Sequence, residues 1–113
     1  GMDDLVRRVA SVAGVGLVSN TNELHFLRSL EAVPALRFMR EFFLSYELKA
    51  LKPDPAYYAR VLARIPHAAG GIVFIDDLEE NVEGARRAGM VGLRFEGLEQ
   101  LRKQLTPLLG GML

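Results

Sequence analysis

Short apolar runs alternate along the chain with amphipathic stretches, and turn-forming residues separate the two kinds of segment. A brief apolar run between turn signals is typical of a strand, whereas apolar positions that recur every three to four residues indicate a helix. The pattern predicts strands near 15–18, 42–44, 71–75 and 91–95. It predicts helices over 3–12, from 22 to a limit set by Pro34, and over 55–65, 78–88 and 97–109.

Two local signals support this assignment. Asp54 is a good N-cap and Pro55 suits the first helical position, so a helix is expected to begin there. Residues 71–75 are apolar without alternation, which indicates a strand covered on both faces. Strands alternate with helices throughout. The sequence therefore predicts an α/β fold with a parallel sheet in three layers, and residues 1–113 as a single domain.

Composition narrows the possible partners. Fourteen basic residues balance fourteen acidic ones, which gives no electrostatic reason to expect nucleic acid or an anionic membrane surface as partner. The chain has no cysteine, so disulfides and thiolate metal sites are excluded, and His25 and His67 are not spaced as metal ligands. No apolar run approaches the length of a membrane span. We therefore expect a cytoplasmic protein that does not bind nucleic acid or membranes.

Three polar sites come at or shortly after predicted strands: Ser19-Asn20, Lys52 and Asp76-Asp77. Ligands of open α/β sheets bind beyond the carboxyl ends of the strands, so these sites are expected to converge. A hydroxyl, an ammonium and two carboxylates suit a phosphate and a hard divalent cation. Each site alone also fits a structural role, as a helix cap, a solvated charge or a dipole partner. Their order and context together favour the binding site.

The same residues carry a family resemblance. Residues 16–22 resemble the second motif of the haloacid dehalogenase superfamily, 51–55 resemble the third, and 72–77 with 80–90 resemble the fourth. Within the superfamily, the glucose-1-phosphate phosphatases and the phosphatase domain fused to epoxide hydrolases are most similar. The acidic pair resembles the phosphatases rather than the dehalogenases, which do without a metal.

The resemblance implies a Rossmann-like core, a phosphorylated small molecule as substrate and Mg²⁺ as cofactor. Ser19 would hydrogen-bond the transferring phosphoryl group, and Asn20 would line the same pocket. Lys52 would neutralise the phosphate and the nucleophile. Asp76 would bind Mg²⁺ directly, and Asp77 would support the metal through water or hold Lys52.

One part of the family pattern is missing. The nucleophile and the general acid belong to an Asp-x-Asp motif that ends the family's first strand, and none of the five aspartates forms such a motif after an apolar strand. The first strand and the helical cap are therefore expected to be absent, leaving a truncated core that is inactive alone. In the family this strand lies between the strands that end at Ser19 and at Asp76. Its loss would leave a gap of about 10 Å between them.

Two outcomes are open for that gap. The flanking strands could close onto each other, or a second copy could supply the missing contact, and a homodimer is the prediction because closure would crowd the flanking helices. Two other functional classes remain. One is a non-catalytic module that binds phosphate, metal or another protein. The other is a phospho-receiver domain, which the order Ser19, Lys52, Asp76-Asp77 disfavours because receivers place the acidic pair first.

Overall fold

The computed structural model describes residues 2–22, 33–66 and 69–109. Within these ranges the strands are β1 (Gly16–Ser19), β2 (Glu41–Leu44), β3 (Val73–Asp76) and β4 (Val91–Arg94). The α-helices are α1 (Met2–Ala10), α2 (Ser45–Leu48), α3 (Pro55–Arg64), α4 (Glu79–Arg87) and α5 (Leu98–Leu108). Short 3-10 helices cover Pro34–Phe38 and Ala69–Gly71. The helix predicted between residue 22 and Pro34, together with His25 and His67, lies outside the described residues.

Helix α3 begins where the sequence predicts. The Asp54 side chain accepts a hydrogen bond from the Ala56 backbone N–H at 2.9 Å, and Pro55 occupies the first turn. Tyr57, Tyr58 and Val61 follow at helical spacing and are buried. The helix therefore combines a local start signal with an apolar stripe that anchors it to the sheet.

The strands pair in parallel, as expected for alternating strands and helices. Strand β1 pairs with β2, Gly16 facing Glu41 and Ser19 facing Leu44. Strand β3 pairs with β4, Val73 facing Val91 and Asp76 facing Arg94. Among the described residues no ladder joins these two pairs, so the strands form two small sheets rather than one. Closure of β1 onto β3 is therefore not the arrangement in this structure.

Helices cover both faces of the strands. On one face, α3 and α4 meet the sheets in a cluster that contains Phe43, Tyr58 and Phe74, and the rings of the last two have centroids 5.5 Å apart. On the other face, Leu5 of α1 packs with Leu101 and Leu105 of α5 over the opposite side of β3. The predicted three-layer α/β architecture is confirmed. Among the described residues no helix is long and apolar enough to cross a membrane.

A cavity of about 1060 Å³ opens between the two sheets. Its lining includes Gly16 and Val18 of β1, all of β3, and apolar side chains of α1 and α5. We call this space the inter-sheet slot. Residues of both β1 and β3 line the slot, and among the described residues these two strands do not pair with each other.

Candidate functional site

The carboxyl ends of β1 and β3 meet at the side chain of Lys52. Its Nζ donates a hydrogen bond to Oδ2 of Asp76 at 2.7 Å and approaches the carbonyl oxygen of Val18 at 3.4 Å. The Lys52 and Asp76 side chains are only 8% and 6% exposed. Lys52 thus contacts both Val18 of β1 and Asp76 of β3, two residues that line the inter-sheet slot at the carboxyl ends of these strands. We call this end of the slot its mouth. The predicted convergence of these two residues is confirmed.

The Asp76 carboxylate is surrounded by hydrogen-bond donors. Its Oδ1 accepts from the Leu78 backbone N–H at 2.9 Å, and its Oδ2 accepts from Asn81 Nδ2 at 3.2 Å as well as from Lys52. Burial alone would raise the pKa of Asp76. The hydrogen bonds from Lys52 and Leu78, with the lysine charge, outweigh burial and hold this pKa below its usual value. Asp76 is therefore a stable carboxylate at neutral pH.

Asn81 is a residue for which the sequence predicted no role. It lies in the first half of α4, is 3% exposed, and its carbonyl oxygen accepts the Tyr58 hydroxyl at 2.7 Å. A Cβ at Gly84 would lie 2.6 Å from the Tyr58 ring, so the close contact of α4 with α3 requires a glycine there. A polar residue one helical turn after Asp76-Asp77, on the buried face of a predicted helix, is the signal that could have identified Asn81.

Ser19 and Thr21 fix the segment that follows β1. The Ser19 backbone N–H donates to the Tyr57 hydroxyl at 3.1 Å, and that hydroxyl donates to the carbonyl of Phe43. Burial raises the pKa of Tyr57 far above its usual value, so the hydroxyl keeps its proton. The Thr21 backbone N–H donates to Ser45 Oγ at 2.7 Å, and the same hydroxyl donates back to the Thr21 carbonyl at 2.9 Å. The half-buried Ser19 side chain is therefore held beside the lysine's contact with β1.

The side chain of Asn20 forms two hydrogen bonds with the backbone of Lys52, in the loop between α2 and α3. Its Nδ2 donates to the Lys52 carbonyl at 3.1 Å, and its Oδ1 accepts from the Lys52 backbone N–H at 2.8 Å. The structure thus brings Ser19, Asn20, Lys52 and Asp76 to one edge of the fold. The phosphate contact predicted for Asn20 stays a prediction.

Asp77 lies at the same edge and is exposed. Its backbone carbonyl accepts a hydrogen bond from Arg94 Nε at 3.3 Å. The ammonium of Lys52 pairs with Asp76. That Asp77 holds this lysine stays a prediction. Support of a metal through water stays a prediction.

The carboxylates suit Mg²⁺, which proteins commonly hold through one or two carboxylates with water and substrate phosphate completing the shell. In the part of the chain that the structure describes, no group of three or more His, Cys, Asp or Glu residues could hold a metal ion. Asp76 and Asp77 therefore fit part of a magnesium site, and further ligands would come from water, phosphate or another segment.

The fold and the site define a Rossmann-like α/β protein with polar side chains gathered at the carboxyl ends of its parallel strands. The family model described as haloacid dehalogenase-like hydrolase matches residues 1–93. The chain belongs to this family.

Curated relatives include phosphatases. The chain is 36% identical over 77 residues to "Phosphatase MT3486" of Mycobacterium tuberculosis, an alignment that covers 67% of this chain and 36% of that protein. It is 40% identical over 57 residues to "Flavin mononucleotide hydrolase 1, chloroplatic" of Arabidopsis thaliana, covering 50% of this chain and 23% of the relative. The chain thus spans about a third or less of these relatives.

Solved structures share the fold. A HAD family enzyme from Bacteroides thetaiotaomicron, bt-2542, superposes with a TM-score of 0.80 at 26% identity, covering 90% of this chain and 53% of that one. The same enzyme in complex with magnesium and inorganic phosphate gives 0.77 at 26% identity, covering 87% and 54%. An uncharacterised protein from Corynebacterium glutamicum gives 0.82 at 24% identity, covering 96% and 80%, which supports the fold alone.

Proposed function

We propose that this chain supplies the charge-neutralising and metal-binding part of a magnesium-dependent phosphomonoesterase. The observation that carries the proposal is the buried ion pair between Lys52 and Asp76 at the carboxyl ends of β1 and β3. Burying a lysine and a carboxylate carries a desolvation cost that their mutual attraction does not always repay. Such pairs are therefore candidate functional sites. The similarity to phosphatases and to an enzyme solved with magnesium and phosphate supports this choice of chemistry.

Each residue has a stated role in the proposal. The Lys52 ammonium neutralises charge on the phosphoryl oxygens and on an attacking carboxylate. The Ser19 hydroxyl donates a hydrogen bond to the same phosphoryl group. Asp76 holds Mg²⁺ directly, and Asp77 supports it through water. When bound, magnesium offsets negative charge on the phosphoryl group.

The attacking aspartate must come from outside this sequence, because the family chemistry needs an Asp-x-Asp motif after a strand and the chain has none in that context. In that chemistry one aspartate attacks phosphorus and the other protonates the leaving oxygen. We place the missing strand in the inter-sheet slot. Among the described residues β1 and β3 each pair along one edge only, which supports this position. The contacts of Lys52 with Val18 and Asp76 support it too, because a carboxylate that ends the strand would meet the lysine charge there.

Complementation tests the proposal. Hydrolysis of p-nitrophenyl phosphate with Mg²⁺ is measured for the chain alone and then with a separately expressed polypeptide that contains an apolar strand ending in Asp-x-Asp. The chain alone is expected to show no turnover above background. The mixture is expected to turn over, and Asp76→Ala or loss of the first aspartate of the motif should abolish it. Turnover by the purified chain alone would refute the need for an external nucleophile.

A non-catalytic interaction module is the second candidate, and the inter-sheet slot favours it. Its walls are mostly apolar, and in the part of the chain that the structure describes β1 and β3 each leave one edge unpaired, which suits association with another chain, in particular a second copy that forms a homodimer. Light scattering at micromolar concentration tests this reading. A dimer that persists on dilution and shows no complemented turnover would support the module, whereas a monomer would count against the homodimer.

A further inference from the structure

The side chain of Asn20 pairs with the backbone of Lys52 at two points. Its amide N–H group donates to the Lys52 carbonyl at 3.1 Å, and its amide oxygen accepts the Lys52 backbone N–H at 2.8 Å. A side-chain amide presents a donor and an acceptor side by side, so it can satisfy both backbone groups of one residue. The pairing joins residues 32 positions apart in the chain.

The two ends of this pairing belong to different parts of the fold. Asn20 directly follows β1, whose last residue is fixed through its backbone N–H to Tyr57. Lys52 lies in the loop between α2 and α3, and its side chain returns across the slot mouth to Asp76. Asn20 therefore fixes the backbone from which the Lys52 side chain extends, and Asp76 binds the ammonium at the end of that side chain.

The lysine side chain has four rotatable carbon–carbon bonds and no rigid planar group, so it does not fix the position of its own ammonium. The position of the backbone therefore sets the region that the ammonium can reach. A loop that shifts by an ångström would move Nζ out of hydrogen-bond distance from Asp76 or expose it to water. Two hydrogen bonds to the backbone of one residue, one on the peptide group before it and one on the peptide group after it, restrict both the translation and the tilt of that backbone.

We propose that Asn20 is a positioning residue that holds the Lys52 backbone so that the lysine ammonium meets Asp76 across the inter-sheet slot. This differs from the direct phosphate contact that the sequence predicts for Asn20. The geometric claim stands without the proposed phosphatase function; only its consequence for catalysis rests on that function.

The reactivity of Lys52 toward an amine reagent tests the proposal without any activity assay. The chain has three lysines, and its Lys49 and Lys103 are exposed, whereas the Lys52 side chain is 8% exposed. Peptide mass spectrometry after timed acetic anhydride labelling gives the rate at each lysine within one sample. Because Asn20 is exposed, its replacement leaves no cavity in the core, and Asn20→Ala is expected to fold.

In Asn20→Ala, the labelling rate of Lys52 relative to Lys49 is expected to rise about tenfold, the shift produced by losing hydrogen bonds of ordinary net strength. Asn20→Asp keeps an acceptor for the Lys52 N–H and loses the donor, so its rate should lie between wild type and Asn20→Ala. Ser45→Ala is the matched control, because it removes the neighbouring two-point contact with Thr21 and leaves Lys52 untouched.

Three results would overturn the proposal. The first is an unchanged Lys52 rate in both Asn20 variants, which would show that the lysine keeps its place unaided. The second is an equal rise in Ser45→Ala, which would indicate general loosening after β1. The third is weakened binding of inorganic phosphate in Asn20→Ala, by phosphorus NMR, with an unchanged Lys52 rate, which would favour direct contact. These three results do not depend on whether the complementation assay shows turnover, so the positioning role of Asn20 and the proposed phosphatase function can fail separately.

Discussion

Replacing Lys52 by methionine is expected to destabilise the protein in a pH-dependent manner. Methionine keeps most of the length and apolar volume of the lysine stem, so the change removes mainly the charge and the donor. Asp76 would then be a carboxylate that is 6% exposed and has lost its nearest cation. It would keep the hydrogen bonds from the Leu78 backbone at 2.9 Å and from Asn81 at 3.2 Å.

The expected loss in the free energy of unfolding can be estimated from these contacts. Removing one partner of a buried ion pair costs about 3–5 kcal/mol when the remaining charge is uncompensated. Two hydrogen bonds to the Asp76 carboxylate persist, each with a net value of about 1.5–3 kcal/mol for a charged group, so we expect the loss near the lower limit, about 2–3 kcal/mol at pH 7. With a urea slope of about 1–2 kcal/mol/M for a small domain, the midpoint should fall by about 1–3 M.

The sign of the pH effect comes from Asp76. In wild type its pKa lies below the usual value of about 3.9, so the carboxylate contributes stability above that pH and loses it as the pH falls through the folded-state pKa. In Lys52→Met, burial remains and its cation is gone, so the pKa should rise. Acidification from pH 7 to 4.5 would then shift Asp76 in the variant toward its neutral form and reduce its penalty. The difference between wild type and variant should therefore shrink on acidification.

Urea unfolding followed by circular dichroism at pH 7 and pH 4.5 measures the loss of stability in Lys52→Met and the change of that loss with pH. Lys49→Met is the control, because Lys49 is exposed and lies in the same loop. A loss of equal size at both pH values, or an equal loss in the control, would refute an ionised, lysine-paired Asp76. A second check is Asp76→Asn in the Lys52→Met background, which should recover part of the lost stability.

Three further substitutions test the packing around the site. Gly84→Ala should cost about 1–3 kcal/mol by overpacking, since the new Cβ would lie 2.6 Å from the Tyr58 ring, whereas Gly70→Ala meets nothing within 4 Å and serves as control. Tyr57→Phe should cost about 1–3 kcal/mol because its buried hydroxyl satisfies one backbone group of β1 and one of β2. Asp54→Ala should cost about 1 kcal/mol through loss of the α3 cap, and Asp54→Asn should retain most of it. Urea midpoints measure all three, and a variant as stable as wild type would contradict the contact it removes.

The elements that the sequence predicted well are those specified locally. Asp54-Pro55 marks the start of α3 by itself, and the apolar run 71–75, which overlaps β3, identifies a strand covered on both faces. The helix Ser45–Leu48 was missed because four residues carry too little periodicity to be recognised. The 3-10 turn at Pro34–Phe38 was missed for the same reason.

The same distinction between locally specified features and features that depend on distant residues applies to the candidate site. Lys52 and Asp76 could be predicted to meet, because a parallel sheet gathers the ends of its strands at one edge. The pairing of Asn20 with the Lys52 backbone could not, since it depends on the path of a loop 32 residues away. Nor does any local pattern distinguish an asparagine that contacts ligand from one that fixes a loop. The role of Asn81 depends likewise on how α4 packs against Tyr58.

Because of the inter-sheet slot, the strands in the middle of this fold should not be the ones whose amide hydrogens are best protected from exchange. Interior strands normally exchange their amide hydrogens last, because both of their edges are paired. Here β1 and β3 border the slot, and among the described residues each pairs along one edge only. Deuterium uptake should therefore be fast at the slot-facing amides and slow where β1 meets β2 and β3 meets β4. We therefore expect early exchange in the middle of this fold, and a strand that fills the slot should protect those amides.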